Sequence, residues 1–497
     1  MEKIPPTFKQ SSFEGGLVDG LNESIRPASS VGFAMNFDFD DEIGSASTRP
    51  GTFIVGGQMV AGKDILGLHN HVEGSTSRLF SVLNDTDDAT AVIYNDAGSV
   101  VQTGLTADTK MRALTFNGAT LMVNGVDAER SYTESGGFIT TGGAFDLANM
   151  PGNTNLLTRF LSRVYASGDP ANPTRVYYSG VSDGSSVSWT VGNGYVDIES
   201  DNDKGPITAF GRVPGYVLFF KTRSMTRWNY SSAFPEEMIS YGAPSQECVV
   251  SSAGICAFYS NSNEQDKGFF ITNGGAPQPI SHDNSRPIKR IVQAIATSYE
   301  SKIAGRALNN GFAWFVGDIT LDGITYKNVE LRYNRILNQW SMRTYPTAFK
   351  VYSSFLDANG RNVTVAGDDD GEVIEIDRPD RFVDYVSVNG EPGEAGIQFD
   401  IRTHTNKHGY NQAKTISGNI IFDTRFGQGA TAYVRVNGKE DDKSCTASIK
   451  RNIADLKLDK NLKGNYFEYG IRGIVQGKKL VLKEIEVPSI EVTPSYD

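Results

Sequence analysis

The side chains that could do chemistry are few and loosely placed. Five His stand in 497 residues. His69 and His71 are two apart, so on a strand they share one face and could ligate a metal, but no third ligand stands near them in sequence. His404 and His408 have the four-residue spacing of a zinc-protease helix. Their surroundings read as β, however, and no acidic base lies between them. Both pairs are read as surface polar residues. The run Asp368-Asp369-Asp370-Gly371-Glu372 offers carboxylate oxygens for a cation, yet it lacks the spaced ligands of a calcium loop. An Asp-Gly turn opening a strand at Glu372 accounts for it without an ion. The stretch from Gly56 to Asp64 has the outline of a phosphate loop up to Lys63. There Asp64 stands where Ser or Thr is needed, so no nucleotide site is expected.

Hydrolase signals fail in similar ways. Ser182-Asp183-Gly184 with Trp189 faintly echoes a sialidase Asp-box, but the Ser-x-Asp-x-Gly-x-x-Trp spacing is not met and no second copy follows. Carboxylates are numerous enough to supply an acid–base pair. No G-x-S-x-G nucleophile elbow is present. Three cysteines, Cys248, Cys256 and Cys445, make no disulfide framework. Cys248 and Cys256 could face each other across a hairpin at Gly254, but they are read as small buried hydrophobes in a reducing compartment. No catalytic, cofactor-binding or metal-binding residue is assigned, and the expectation is a protein that is not an enzyme.

The elements that would position such residues are strands. Residues 175–228 hold four short apolar runs ending on Tyr178, Ile198, Phe210 and Phe220, separated by Gly, Asp, Ser and Asn clusters. Between 64 and 377 the same punctuation yields roughly seven groups of about 45 residues, the period of four-stranded propeller blades. The groups begin with 65–72, 79–84, 91–95 and 100–105, and end with 350–356, 362–366 and 372–377. The repeat is one of spacing, not of motif. With 52 Gly, 21 Tyr and 27 Phe, the expected class is all-β: a β-propeller of about seven four-stranded blades with an N-terminal arm, one inserted helix and a C-terminal β-sandwich.

The expected domains are the arm at 1–55, the propeller at 56–385 and the sandwich at 390–497. In the arm, residues 35–40 alternate as one strand, and Arg49-Pro50-Gly51 is a turn that ends it. Such an arm often adds itself to a sheet of its own subunit or a neighbour. Residues 285–303 show helical spacing at Ile288, Ile291, Val292, Ile295 and Tyr299, with Asn284 or Ser285 as N-cap. Residues 378–395 read as a linker, and 439–464 as a charged excursion. Residues 390–497 carry 16 Lys+Arg against 14 Asp+Glu, a net of +2, and residues 1–389 carry 31 against 44, a net of −13. The total of −11 opposes a broad electrostatic grip on nucleic acid, while like-charged walls would let a duplex slide. No signal peptide and no membrane span are expected.

Several segments, in order, resemble the propeller-bearing tail nozzle, hub or stopper proteins of tailed, especially short-tailed, bacteriophages. They are F-E-G-G-L-V-D-G-L from Phe13, N-F-D-F-D-D-E-I-G from Asn36 and R-P-G-T at 49–52. R-V-Y-Y-S-G-V-S-D with Trp189, then Y-V-D-I, P-I-T-A-F and V-L-F-F-K with Trp228, and E-L-R-Y-N-R-I-L-N-Q-W-S at 330–341 complete the set. The resemblance implies a non-enzymatic virion protein, assembled in the host bacterial cytoplasm. It would be a homo-oligomer, usually a sixfold ring, below portal and adaptor proteins. The ring would build or plug the double-stranded DNA exit channel without sequence-specific binding, and the arm, the helix and the sandwich would make the contacts. The alternative is a glycan-binding or glycan-cleaving propeller, such as a receptor-binding tail component, using Trp189, Trp228, Trp314 or Trp340 to stack on sugars. A generic cellular interaction propeller would be expected to carry WD or kelch signatures, which are missing.

Overall fold

The structure, a computed structural model, describes residues 8–492 apart from positions 20–26, 41, 201–202, 230–234, 240, 264–266, 283–285, 358, 389–390, 408–413, 417–418, 426–429, 438, 441–444, 447, 451–452, 458–461 and 488–489. The chain is built almost wholly of strands. Five consecutive antiparallel four-stranded sheets begin at Ile65–Glu73, Arg112–Phe116, Leu156–Phe160, Ala209–Val213 and Val249–Ser252 (blades 1 to 5). Blade 6 comprises Ala304–Leu308, Gly311–Leu321, Ile324–Asn334 and Gln339–Thr344, and blade 7 begins at Val351–Leu356. First strands of successive blades lie side by side, and that of blade 7 lies against that of blade 1. The first strands therefore surround the axis of a closed seven-bladed propeller.

Blade 7 has only three strands from its own stretch of chain. Its fourth is Gly51–Ile54, antiparallel to Val373–Arg378 with Ile54 opposite Ile374 and Gly51 opposite Arg378. The N-terminal segment thus closes the ring with a strand that local pattern does not attach to it. Gly51 is obligatory by close approach: a Cβ there would lie 1.9 Å from the Val383 carbonyl oxygen.

The rest of the N-terminal segment is not a separate arm. Phe33–Met35 enters one sheet beside Glu391–Arg402, Phe467–Val475 and Ala430–Val436. Phe37–Asp38 and Ala46–Thr48 enter the facing sheet beside Val481–Val487 and Asn419–Arg425. The alternating run 35–40, read above as one strand, is broken at Asn36, which takes the left-handed conformation (φ 61°). Asn accepts that conformation better than most side chains. The break sends Phe37 across to the second sheet, where it meets Phe399 edge-on at 5.6 Å. Phe37, Phe399, Ile401, Phe422, Ile471 and Leu482 are buried in one core between the two sheets. The first sheet continues into blade 6 through a parallel bridge between Met35 and Met342.

Three other readings change. Residues 378–395 are not a linker: Val383–Val388 pairs with the start of Glu391–Arg402. The charged stretch 439–464 contributes Ile453–Lys457 to the sandwich. In place of one helix over 285–303 there is a single turn, Lys289–Gln293, and a 3-10 segment, Thr297–Lys302. Between them Ile295 bridges to Ile319 of the long blade 6 hairpin, and Ala296 is extended, so sheet pairing interrupts the helix. The N-cap candidates Asn284 and Ser285 lie outside the described residues. Among the described residues no helix is long and apolar enough to cross a membrane.

Gly51→Ala should cost about 1–3 kcal/mol, the usual range for forcing a methyl into packed structure. Gly57→Ala, with nothing within 4 Å of the added Cβ, should stay within about 0.5 kcal/mol of the parent. Urea unfolding midpoints of the two variants check the pair.

Candidate functional site

The downstream ends of the first strands ring one mouth of the propeller axis. A cavity of about 460 Å³ opens there, lined by Phe116, residues 159–162, 212–214 and 251–254 from blades 2 to 5. Ser252 also lines a larger cavity of about 870 Å³ that continues over blades 6 and 7, past residues 308–310, Ser354 and Asn362, to Thr48 and Lys479 of the sandwich. The two make a funnel running around this mouth.

Under the blade 6–7 side lies a network of buried ions. Arg306 grips Glu330 with two parallel N–H donations of 2.8 Å and gives a third, 2.7 Å, to Asp377. Arg343 donates to Asp38 at 3.1 and 2.6 Å and to Asp377. Arg332 reaches Asp38 at 3.0 Å. Three guanidinium groups face three carboxylates, so the cluster is neutral. Burial would raise the carboxyl pKa values. The arginines outweigh it, and hold Asp377 well below and Asp38 and Glu330 below the usual carboxylate range. Tyr345 and Tyr352 donate hydroxyls to Glu330. Burial first, then the Glu330 charge, lifts the Tyr345 phenol to about 12.

Arg49 extends the same chemistry. Its five N–H donors go to Asn36 Oδ1, the Pro50 and Thr344 carbonyls and both oxygens of Asp384, all between 2.6 and 2.9 Å. The guanidinium lies 4.4 Å over the Tyr345 ring. Arg49 is therefore a buried anchor, not the turn residue read from Arg49-Pro50-Gly51. Nothing in local spacing marked these ions. The available signal was charge at buried positions of the strand around Glu330-Leu331-Arg332.

The residues singled out in the sequence do not converge. His71 is fully buried and His69 half-buried, not surface residues. His69 Nε2 meets Thr115 Oγ1 and His71 Nδ1 meets Thr120 Oγ1, each at 2.8 Å, and the two hydroxyls join at 2.7 Å. The pair stitches blade 1 to blade 2. Burial, then the neighbouring His71, takes the His69 pKa down to about 4. His404 Nε2 lies 3.0 Å from Ser30 Oγ, and His408 is outside the described residues. Cys248 and Cys256 are free and buried, with burial pushing both thiols up to about 12. The side chain of Cys445 is outside the described residues. Asp183 caps its own turn through the N–H groups of Ser185 and Ser186. Trp189, Trp228, Trp314 and Trp340 are all buried, so none is free to stack on a sugar. Trp314 and Trp340 donate their indole N–H to the Cys248 and Ile280 carbonyls at 3.1 Å.

At the other end of the axis, Asp368 is buried and accepts N–H donations from Asp370 and Glu372 and the Thr347 hydroxyl, at 2.8 to 3.0 Å. Asp370 accepts from the Gly62 N–H at 2.6 Å, and Glu372 from the Tyr385 hydroxyl at 2.7 Å. The acidic run is thus a turn satisfied by its own surroundings. Among the described residues no group of three or more His, Cys, Asp or Glu is placed to hold a metal.

No family model matches the chain, and no curated protein matches it. Solved structures with similar architecture include YCF48 bound to D1 peptide, at 10% identity and TM-score 0.38, over 66% of this chain and 97% of that one. BamB from Moraxella catarrhalis gives 11% identity and TM-score 0.38, over 63% and 84%. The extracellular domain of the putative one-component system BT4673 from B. thetaiotaomicron gives 9% identity and TM-score 0.42, over 93% of this chain and 62% of that one.

Arg343→Met should destabilise the protein by about 3–5 kcal/mol, because Asp38 and Asp377 stay buried with one cation fewer. Chemical denaturation measures it. Burial lifts Asp368 to about 7, above its unfolded value. Its contribution to stability is therefore full below about pH 4 and is lost as pH rises through 7. Asp368→Asn, which keeps the oxygen accepting both N–H groups, should flatten that part of the pH–stability profile. An unchanged slope between pH 4 and 7 would show that Asp368 does not titrate there.

Proposed function

We propose that this chain is a structural virion protein of a tailed bacteriophage, a ring-forming tail component that builds or closes the DNA exit channel. What supports the reading is where the segments that carry the resemblance fall. Asn36 and Asp38 come from N-F-D-F-D-D, Arg49 and Gly51 from R-P-G-T, and Glu330 and Arg332 from E-L-R-Y-N. These side chains and this glycine make the buried junction between propeller and sandwich. A protein that works through subunit interfaces needs its domains held at a set angle, and interface-borne function needs no catalytic group. The propeller axis is ringed by first strands, so a duplex would pass through the centre of a ring of subunits and not through one propeller. The net charge of −11 suits a wall past which DNA slides.

Native mass spectrometry with negative-stain imaging tests the proposal. The expected particle is a closed ring of roughly six copies, alone or seeded on portal–adaptor assemblies, with an opening that admits a duplex. A protein that stays monomeric in both settings, and instead binds or hydrolyses bacterial surface glycan, would replace this reading with the glycan-directed one.

A further inference from the structure

Two independent features meet on the blade 3 side of the funnel. The first is charge. Arg306, Arg332, Arg343, Arg361 and Arg378 each meet a carboxylate. Arg159 and Arg212, exposed on neighbouring first strands, meet none among the described residues. Arg212 instead lies against the Arg159 carbonyl, at 3.5 Å from its Nη1.

The second is backbone cost. The tight turn of blade 2 is Asn117-Gly118 at φ 51° and 76°, residues suited to left-handed conformations. In blade 3 the same turn is Leu161-Ser162, at φ 47° and 58°. Leucine is disfavoured there, and its side chain is 59% exposed, so no buried contact offsets the strain. Strain of this kind tends to persist at functional sites. Beside it, the loop held to this turn by the Ser182 N–H donating to the Ser162 carbonyl at 2.8 Å presents Val181 and Val191, also exposed.

We infer that this rim is a docking site for an acidic, apolar-studded segment of a partner protein, whose carboxylates pair with Arg159 and Arg212 while its aliphatic side chains cover Leu161, Val181 and Val191. Charge complementarity selects the occupant: two unpaired guanidinium groups persist on a chain of net −11. Aliphatic neighbours favour a peptide over a bare polyanion. The inference does not depend on the virion reading.

Fluorescence anisotropy with the full chain tests it, using labelled octapeptides of alternating Glu and Leu or alternating Lys and Leu, and a labelled oligonucleotide of matching charge. The Glu–Leu peptide should bind best, and Arg159→Glu with Arg212→Glu should weaken it by at least roughly tenfold. Leu161→Asn should also weaken it while the melting temperature holds or rises, because Asn relieves the turn. A merely structural Leu161 would instead lower the melting temperature when replaced. Equal binding of the Lys–Leu peptide, stronger binding of the oligonucleotide, or self-association abolished by the Arg159→Glu and Arg212→Glu changes would each overturn the inference.

Discussion

The structure depends on one buried ionic junction. Arg49 and Asp38 come from the N-terminal segment, Arg306, Glu330 and Arg343 from blade 6, and Asp377 and Asp384 from the last strand of blade 7's own stretch of chain and the hairpin after it. Arg49 and Asp384 alone are separated by 335 residues. Each guanidinium makes a two-pronged contact with a carboxylate or bridges two of them. Such geometry is directional, whereas apolar packing tolerates sliding. A closed ring of seven similar sheets presents many near-equivalent edges on which a stray strand could settle, and apolar alternation fixes which face of the strand turns inward without saying which edge it joins. A buried ion cluster that is neutral only in one arrangement excludes the others, because any slip leaves a charge unpaired in a dry place. Its value lies in specificity more than in net stability, since well-packed apolar residues often do as well energetically.

The junction also explains why the two ends of the chain behave as one unit. Asn36 turns the N-terminal segment from one sandwich sheet to the other. It uses its whole side chain in doing so, donating to Thr344 Oγ1 and the Gln398 carbonyl, both at 2.7 Å, and accepting from Arg49 and Thr344. Gly51 then lets the following strand slide under Val383 to complete blade 7. Loop-closure entropy grows slowly with length, so recruiting a strand from the far end of the chain costs little more than recruiting a nearby one. In return the N-terminal segment ties the sandwich, through Phe33–Met35 and Ala46–Thr48, to the last blade, through Gly51–Ile54.

The fold class was legible because turn residues recur at blade spacing, and blade 1 appears almost strand for strand. The failures have physical causes. In blade 3, Leu161 is apolar and has the character of a strand residue, yet the strand is Arg163–Ser167 and Leu161 makes the turn before it. The apolar run at Val187 and Trp189 packs against Leu147 and Met150 as a loop, and the edge strand is Gly194–Asp197. The helical period at 288–299 describes a buried face, but Ile295 gives its backbone to a sheet. The closing strand and the linker hairpin were missed because non-local pairing leaves no local period. The candidate site was almost illegible, since charged residues in strands are read as solvent-facing unless their partners are known.

The two ends of the propeller axis show how a polar cluster built for structure differs from one left open. At the acidic end, the carboxylates of Asp368, Asp369 and Asp370 already accept backbone N–H groups, and Asp368 and Asp369 share the Thr347 hydroxyl. The geometry is complete and asks nothing of a ligand. On the blade 3 side of the opposite mouth the chain does the reverse. It sets like charges side by side and places a leucine where Asn or Gly would be easier. Elsewhere the same chain pairs its buried ions closely, as at Arg49 and Arg306. Among the described residues Arg159 and Arg212 lie together without a carboxylate, beside exposed aliphatic side chains and a turn whose leucine is in a disfavoured conformation, and backbone strain of that kind concentrates where a protein meets something else.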